Sequence, residues 1–519
     1  MLARIATWVS AAALLAFLAG AVRLGQLERG GPPHADLVLE GGTPATLYLP
    51  EAAGEGAFLD PPPRDERPPG VVLLHGFASS RAFTSSLARR LALAGYAVLA
   101  PDARGHGANR NPFPSGRGRA DLLASELAAA VDFLRASPFV DGSRLALMGH
   151  SMGAGAALDY ATRDSGLDAT VLIAGGWALQ GPYRPPNALF VFAESDSPRV
   201  QERSRALAAE LAGLERVEDG RVYGEVALGT AVRALRIPGT DHGRILWSRE
   251  AVAEILAWLD AVFGRDASRV APDPRLGLSA ALLGLAVLVL PGLGLAVGRL
   301  VPRPPPLPAG GRALGLAALA GALALCLPLL SPGALGAALP LEVADRVFAG
   351  LGLAGAALLA LLAVARRDPV PLFPEWRRAL PGAALGLAGV YALLQPLGVA
   401  VSPLLPTPER ALVFALSTLV LLPFALAFQA LLRRGPPLEA SAFALAGRVL
   451  VLAALLGGVA AGVVGRVVVL MLPALALVFA MAEIAASAIY ARSRNLVAIA
   501  LLDASWLALV LVSSLPLRI

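Results

Sequence analysis

Arg144-Leu145-Ala146-Leu147-Met148-Gly149-His150-Ser151-Met152-Gly153-Ala154-Gly155-Ala156-Ala157-Leu158-Asp159-Tyr160 is the stretch that decides the fold. Its first five residues read as a short apolar strand and its last seven as a helix. Between them stands G-x-S-x-G. A turn from strand to helix this tight demands small residues on either side of the serine, and it lifts the hydroxyl clear of the sheet. Around it, apolar runs and helical stretches alternate. Val71–Leu74 is read as a strand followed by a helix near 79–94. Tyr96–Ala100 is the next strand, with a helix near 120–136. Ala169–Ile173, Ala188–Phe192 and a strand near 231–237 continue the series, closed by a helix near 248–263. Alternation of this kind builds a parallel sheet covered on both faces.

Beyond this segment the composition changes. The 519 residues are 56% hydrophobic and 16% charged, with a mean hydropathy of +0.64, but the two halves are unlike. Residues 35–265 have globular patterning. From about 276 onward long apolar stretches are broken only by short Pro/Arg-rich loops. A bilayer core needs roughly 20 helical residues. Eight spans are expected, at about 277–298, 313–331, 345–365, 380–401, 411–432, 441–464, 467–487 and 496–516. A ninth apolar segment, about 5–22, reads as a signal anchor or as a signal peptide with Ala19-Gly20-Ala21 as its cleavage site. The expected division is therefore 1–30, 35–265 and 276–519.

Loop charge gives an expected topology. Inner loops would hold eleven arginines (Arg299, Arg303, Arg312, Arg366, Arg367, Arg377, Arg378, Arg433, Arg434, Arg492 and Arg494). Outer loops would hold four (Arg346, Arg410, Arg466 and Arg518). That places 35–265 on the extracytoplasmic side, although the first segment, with Arg4 on its inner side and Arg23 and Arg29 on its outer side, disagrees. The chain has no lysine, an arginine bias pointing to a GC-rich bacterial genome. The net charge of +6 is thus a topology signal, and no nucleic-acid site is expected. The single cysteine, Cys326, allows no intrachain disulfide. Glu483, Asp503 and Arg448 fall inside spans, where charge is costly. Arg448 is expected to snorkel to the interface, and the two acids to pair with arginines or to lie near helix ends. Anchoring is the expected role of this half, ahead of substrate handling or transport.

Four motifs, in chain order, make residues 35–265 resemble an α/β-hydrolase of the esterase, lipase and dienelactone-hydrolase-like group. They are His75-Gly76-Phe77, the turn Pro101-Asp102-Ala103-Arg104-Gly105-His106-Gly107, the Gly149–Gly153 pentapeptide and Asp241-His242-Gly243. The resemblance covers less than half the chain and implies, for residues 35–265, an α/β-hydrolase fold and a serine hydrolase of carboxylic esters that needs no cofactor or metal; the all-α, multi-span membrane domain expected after it rests on the apolar stretches alone. In it Ser151 is the nucleophile and His242 the base. Asp196 is the acid, with Glu194 as the alternative, in the segment Ala193-Glu194-Ser195-Asp196. The backbone N–H groups of Phe77 and Met152 form the oxyanion hole, where one lost donor typically costs about 100- to 1,000-fold in rate. A serine hydroxyl needs such a base, and the base a carboxylate to fix its tautomer.

The remaining histidines have structural readings: His106 in its turn, His75 shaping the oxyanion loop, His150 beside the nucleophile, His34 in a linker. Asp102 is read as structural, and Asp241 as pointing away from His242. The segment from Gly175 to Asn187 leaves little room for a lid. Residues 214–230 are expected to form a loop or hairpin near the site, and Arg110 and Arg117 a solvated wall. Membrane lipids and a small or lipid ester are the expected partners. An acyltransferase using the same residues, and a ligand-binding sensor or transporter with a hydrolase-like domain, are the alternatives.

Overall fold

The computed structural model describes residues 2–51, 56, 58–114, 116–266, 268–305, 307–308, 310–326, 339–365, 376–399, 407–465 and 467–518. The chain divides into two compact units. The first is Leu24–Ser279 with Leu397–Pro403 and Ser514–Ile519; the second is Met1–Arg23, Ala280–Pro396 and Leu404–Ser513.

The first unit is built on a sheet of nine strands among the described residues: β1 (His34–Val38), β2 (Pro44–Tyr48), β3 (Pro69–Leu74), β4 (Ala97–Pro101), β5 (Asp141–His150), β6 (Ala169–Ile173), β7 (Ala188–Ala193), β8 (Val222–Tyr223) and β9 (Val232–Ile237). Their order is β1-β2-β4-β3-β5-β6-β7-β9-β8. The six from β4 to β9 run parallel, and β1, β2 and β8 join at the edges antiparallel. Every residue of β3, β4, β6 and β7 is buried. Such strands read as continuous apolar runs, because helices cover both faces of a parallel sheet. Here the covering helices are α2 (Arg81–Leu93), α3 (Arg119–Ala136), α4 (Met152–Ala161), α5 (Pro198–Ala212) and α6 (Arg249–Phe263). One core holds Val72, Leu74, Leu147 and Phe190 against α3, α4 and α5. The other holds Val71, Leu73, Met148 and Val191 against α2 and α6. Alternate residues of each strand feed opposite faces, as the pleat requires.

Three expectations change here. The strands begin earlier than expected: β1 and β2 form an edge hairpin, and His34 is not in a linker but in β1, stacked on Tyr48 with ring centroids 5.5 Å apart. Residues 214–230 supply one strand of a hairpin, since β8 pairs with Val232 and Arg233 of β9. It lies at the start of β9, however, whereas His242 follows the end of that strand. Finally, Leu517 joins this unit from far along the chain. Its N–H donates to the Gly105 carbonyl at 2.9 Å, and its carbonyl accepts from Phe113 N–H at 2.6 Å.

The second unit is helical. Helices α1 (Leu2–Arg29) and α7 (Pro274–Leu300) each run from one unit into the other; α8 (Arg312–Cys326), α9 (Ala344–Ala365), α10 (Trp376–Leu394), α11 (Pro408–Leu432), α12 (Pro437–Ala460), α13 (Val467–Ser493) and α14 (Leu496–Ser514) follow. Among the described residues eight helices are long and apolar enough to cross a membrane, one of them near the N-terminus. The expected span 313–331 is represented by α8, a shorter apolar helix ending at Cys326; residues 327–331 lie outside the described residues, as do Arg366, Arg367 and Arg466. Close packing uses small residues: a Cβ at Gly352 or Gly355 of α9 would run into the backbone of α11 at Val420 or Phe424.

Glu483 and Asp503 pair with arginines, as expected, but three arginines of this unit depart from expectation. Arg433 is not in a loop facing water but fully buried, donating to Glu483. Arg448 does not snorkel; it is buried and engages both Glu483 and Asp503. Arg410 is buried too, with its guanidinium on the Val512 carbonyl.

Candidate active site

The site forms at the C-terminal ends of the parallel strands. Strand β5 stops at His150, and α4 starts at Met152, so Ser151 makes the whole turn alone. Its backbone sits at φ 53° and ψ −110°, a region non-glycine residues avoid and which functional sites store as strain. Two contacts hold it there: Ser151 N–H donates to the Ile173 carbonyl at 2.8 Å, and the Ser151 carbonyl accepts from Gly155 N–H at 3.1 Å. The flanking glycines are steric necessities. A Cβ at Gly149 would collide with the Gly153 carbonyl, and one at Gly153 with the Leu74 carbonyl.

His242 lies in the loop after β9. Its Nε2 accepts from the Ser151 hydroxyl at 2.9 Å, while its Nδ1–H donates to Asp196 Oδ1 at 2.6 Å. Asp196 follows β7 and is turned back under it, since its Oδ2 accepts from Ala193 N–H at 2.8 Å. The Asp196 side chain is 1% exposed, so its charge is poorly screened and acts on the imidazole at close range. Glu194 is not at the imidazole. It is half-exposed and takes Gly239 N–H at 3.0 Å and the Arg236 guanidinium at 3.5 Å.

His75-Gly76-Phe77 leaves the end of β3, directly beside β5, where Leu74 pairs with Gly149. A Cβ at Gly76 would stand 3.2 Å from that of Ser151, so this backbone runs tightly past the nucleophile. His75 fixes its course. Its Nδ1–H donates to the Gly76 carbonyl at 2.7 Å, and its Nε2 accepts from Ala103 N–H at 3.0 Å. Burial pushes its pKa down, which keeps the ring neutral and able to accept that bond. Met152 N–H belongs to the first turn of α4, whose N–H groups have no acceptor within the helix.

His150 was expected only to adjoin the nucleophile. It does more: its Nε2–H donates to the His242 carbonyl at 2.7 Å, and the two rings lie 5.1 Å apart. Burial first, and then the neighbouring His242, push its pKa down to about 3. No sequence signal marks this bond, because its partners are 92 residues apart.

The other polar residues build walls. Asp102 takes Arg81 N–H at 2.8 Å, the Arg81 guanidinium at 2.7 Å and Ala108 N–H at 2.9 Å, which locks its turn. His106 donates from Nδ1 to the Arg104 carbonyl at 2.8 Å and packs edge-on to Phe77 and Phe113. Asp241 accepts from Gly243 and Arg244 N–H at 3.1 and 2.9 Å and so shapes the His242 loop. Arg110 is exposed, and the Arg117 side chain lies outside the described residues. Residues 174–187 carry no helix over the site. Among the described residues no cluster could hold a metal ion.

Sheet order, the turn at Ser151 and the position of each loop give the first unit an α/β-hydrolase fold. Residues 66–209 match the family described as serine aminopeptidase, S33. Among curated proteins, an uncharacterized protein of Mycobacterium tuberculosis is 31% identical over 142 residues, 27% of this chain and 49% of that one. The bis(hydroxyethyl) terephthalate hydrolase of Streptomyces coelicolor is 30% identical over 141 residues, 26% of this chain and 39% of its own length. The chain thus spans half or less of the curated relatives it matches. A solved structure, the Pyrobaculum calidifontis esterase, aligns with a TM-score of 0.32 and 20% identity, covering 50% of this chain and 92% of that one.

Proposed function

We propose that the first unit is a serine hydrolase of carboxylic esters working through an acyl-serine intermediate. The observation that carries this reading is the unbroken line from Ser151 Oγ through His242 to Asp196, at 2.9 and 2.6 Å. Ser151 Oγ attacks the ester carbonyl as His242 Nε2 takes its proton. The oxyanion is held by the N–H groups of Met152 and Phe77, and Asp196 stabilises the imidazolium. His242 then protonates the departing alkoxide, leaving acyl-Ser151. A water molecule, deprotonated by His242, attacks that acyl group, and the proton returns to Ser151. The name of the Streptomyces coelicolor relative, an ester's hydrolase, supports the choice of bond.

The unit works beside a bilayer on the outer face of a bacterial membrane, on lipid or other amphipathic esters. Loop charge supports that orientation. Discounting Arg433 and Arg410, which are buried in the helical unit, ten arginines fall on the expected inner side and three on the outer.

The test is labelling of the membrane-inserted chain with a fluorophosphonate, wild type beside Ser151→Ala, together with turnover of a p-nitrophenyl ester. Both signals should vanish in the variant. Ester turnover that survives Ser151→Ala would overturn the reading.

A further inference from the structure

Inside the helical unit four ionisable side chains and one amide close a ring. Arg433 Nη2 donates to Glu483 Oε1 at 2.6 Å, Arg448 Nε to Glu483 Oε2 at 2.9 Å, and Arg448 Nη2 to Asp503 Oδ2 at 2.7 Å. Gln429 completes it, donating to Asp503 Oδ2 at 2.7 Å and accepting from Arg433 Nε at 2.6 Å. Two cations face two anions, so the ring is formally neutral. Joining α11, α12, α13 and α14 would explain such a ring, but not what lies beside it.

A recess opens on one edge of the ring, bordered by Arg448 and Asp503 and walled by Phe424, Phe428, Phe479 and Trp506. Arg448 is held between two of these aromatics, its guanidinium carbon 5.6 Å from the Phe428 centroid and 5.7 Å from that of Phe479. Arg448 spends Nε and Nη2 on the ring and Asp503 spends Oδ2. Among the described residues neither Arg448 Nη1 nor Asp503 Oδ1 makes a hydrogen bond. A fixed donor and a fixed acceptor thus border an apolar chamber, the pattern of small-molecule sites: mostly apolar walls with a few placed polar groups.

The chemistry selects the occupant. A neutral ring has no surplus charge to offset the desolvation of an ion, so a charged head group gains little. A hydroxyl can accept from Arg448 Nη1 and donate to Asp503 Oδ1 at once. The aromatic walls suit an alkyl chain. We propose that this cavity binds a neutral, hydroxyl-headed single-chain lipid of the monoacylglycerol or alkylglycerol type. The proposal does not rest on the esterase reading, and either can fail alone.

The test uses the full chain in phosphatidylcholine vesicles and an alkylglycerol ether carrying a diazirine in its chain, which an esterase cannot cleave. Labelling should saturate and map to the Phe424–Phe428 and Val478–Ala482 peptides. Leu507→Trp, which fills the cavity from its partly exposed edge, should lower it about tenfold, a loss of ~1.4 kcal/mol of binding. Leu412→Trp, on an exposed face of α11, should leave it unchanged. Unlabelled alkylglycerol should compete about tenfold better than its dimethyl ether, which cannot donate. Labelling that never saturates and spreads along all the exposed helices would mean bulk lipid only and overturn the proposal. So would indifference to Leu507→Trp in a protein whose gel-filtration profile is unchanged, or equal competition by the capped ether.

Discussion

His150 Nε2–H donates to the carbonyl oxygen of His242 at 2.7 Å, so the residue before Ser151 holds the backbone of His242. Strand β5 and the loop after β9 are thereby joined at the point where Ser151 and His242 must meet. In the proposed mechanism His150 takes no proton; it acts by position.

His150→Phe should therefore lower kcat toward p-nitrophenyl esters with KM nearly unchanged, by up to about 100-fold, the typical cost of a displacement near 1 Å at a reacting group. His150→Gln, which keeps an N–H donor, should recover part of the loss. Equal rates for wild type and both variants would show that the His242 loop holds itself.

The same burial predicts a pH effect on stability. In an unfolded chain a histidine takes up its proton near pH 6.5; in the fold His150 does so only at about 3. Between those values the unfolded chain binds more protons, so the penalty from His150 is absent above 6.5 and grows as pH falls toward 3. Melting temperatures from pH 7.5 to 4 should fall more steeply for wild type than for His150→Gln. Parallel curves would contradict this.

Two acids stand in one turn, and only Asp196 reaches Nδ1. Asp196→Asn should reduce kcat by about 10⁴-fold, as loss of the tautomer-fixing carboxylate does elsewhere. Glu194→Gln should stay near wild type, because its carboxylate serves Gly239 and Arg236 at the surface. Steady-state rates of the two variants side by side decide it.

Gly153→Ala should prevent the first unit from folding, with a cost of about 4 kcal/mol or more, because the new methyl would meet the backbone carbonyls of Leu74 and His75. The yield of detergent-extracted protein and a melting transition of the variant are the readout; normal folding would mean that α4 can shift bodily.

In the helical unit Glu483→Gln would leave Arg433 and Arg448 short of a counter-charge. Breaking one side of a buried pair costs about 3–5 kcal/mol. Glu439→Gln, at an exposed pair with Arg312, should cost under about 1 kcal/mol. Thermal unfolding in detergent compares them directly.

Much of this was legible from pattern alone. Strands such as Val71–Leu74 and Ala169–Ile173 announce themselves because both faces are buried, and the serine turn because no bulkier neighbours fit. The β1–β2 hairpin escapes such a reading: it is an edge, five residues a side, with Asp36 and Thr46 paired to each other across it. Choosing between Glu194 and Asp196 needed the bond from Ala193 N–H, which aims one carboxylate inward. Arg433 looks like a loop residue because the carboxylate that lets it stay buried, Glu483, is 50 positions away. Position along a chain says little about charge compensation at such range.

Leu517, bonded to Gly105 and Phe113, gives the chain an order of assembly. The ribosome finishes β1 to β9 early, yet the partner for those two backbone groups is made only after all the helices from α7 to α14. Until then the turn that carries His106, and packs it on Phe77 beside the nucleophile, is without its last two backbone bonds. A fragment ending near 279 would therefore lack the two backbone bonds that Leu517 supplies to this turn.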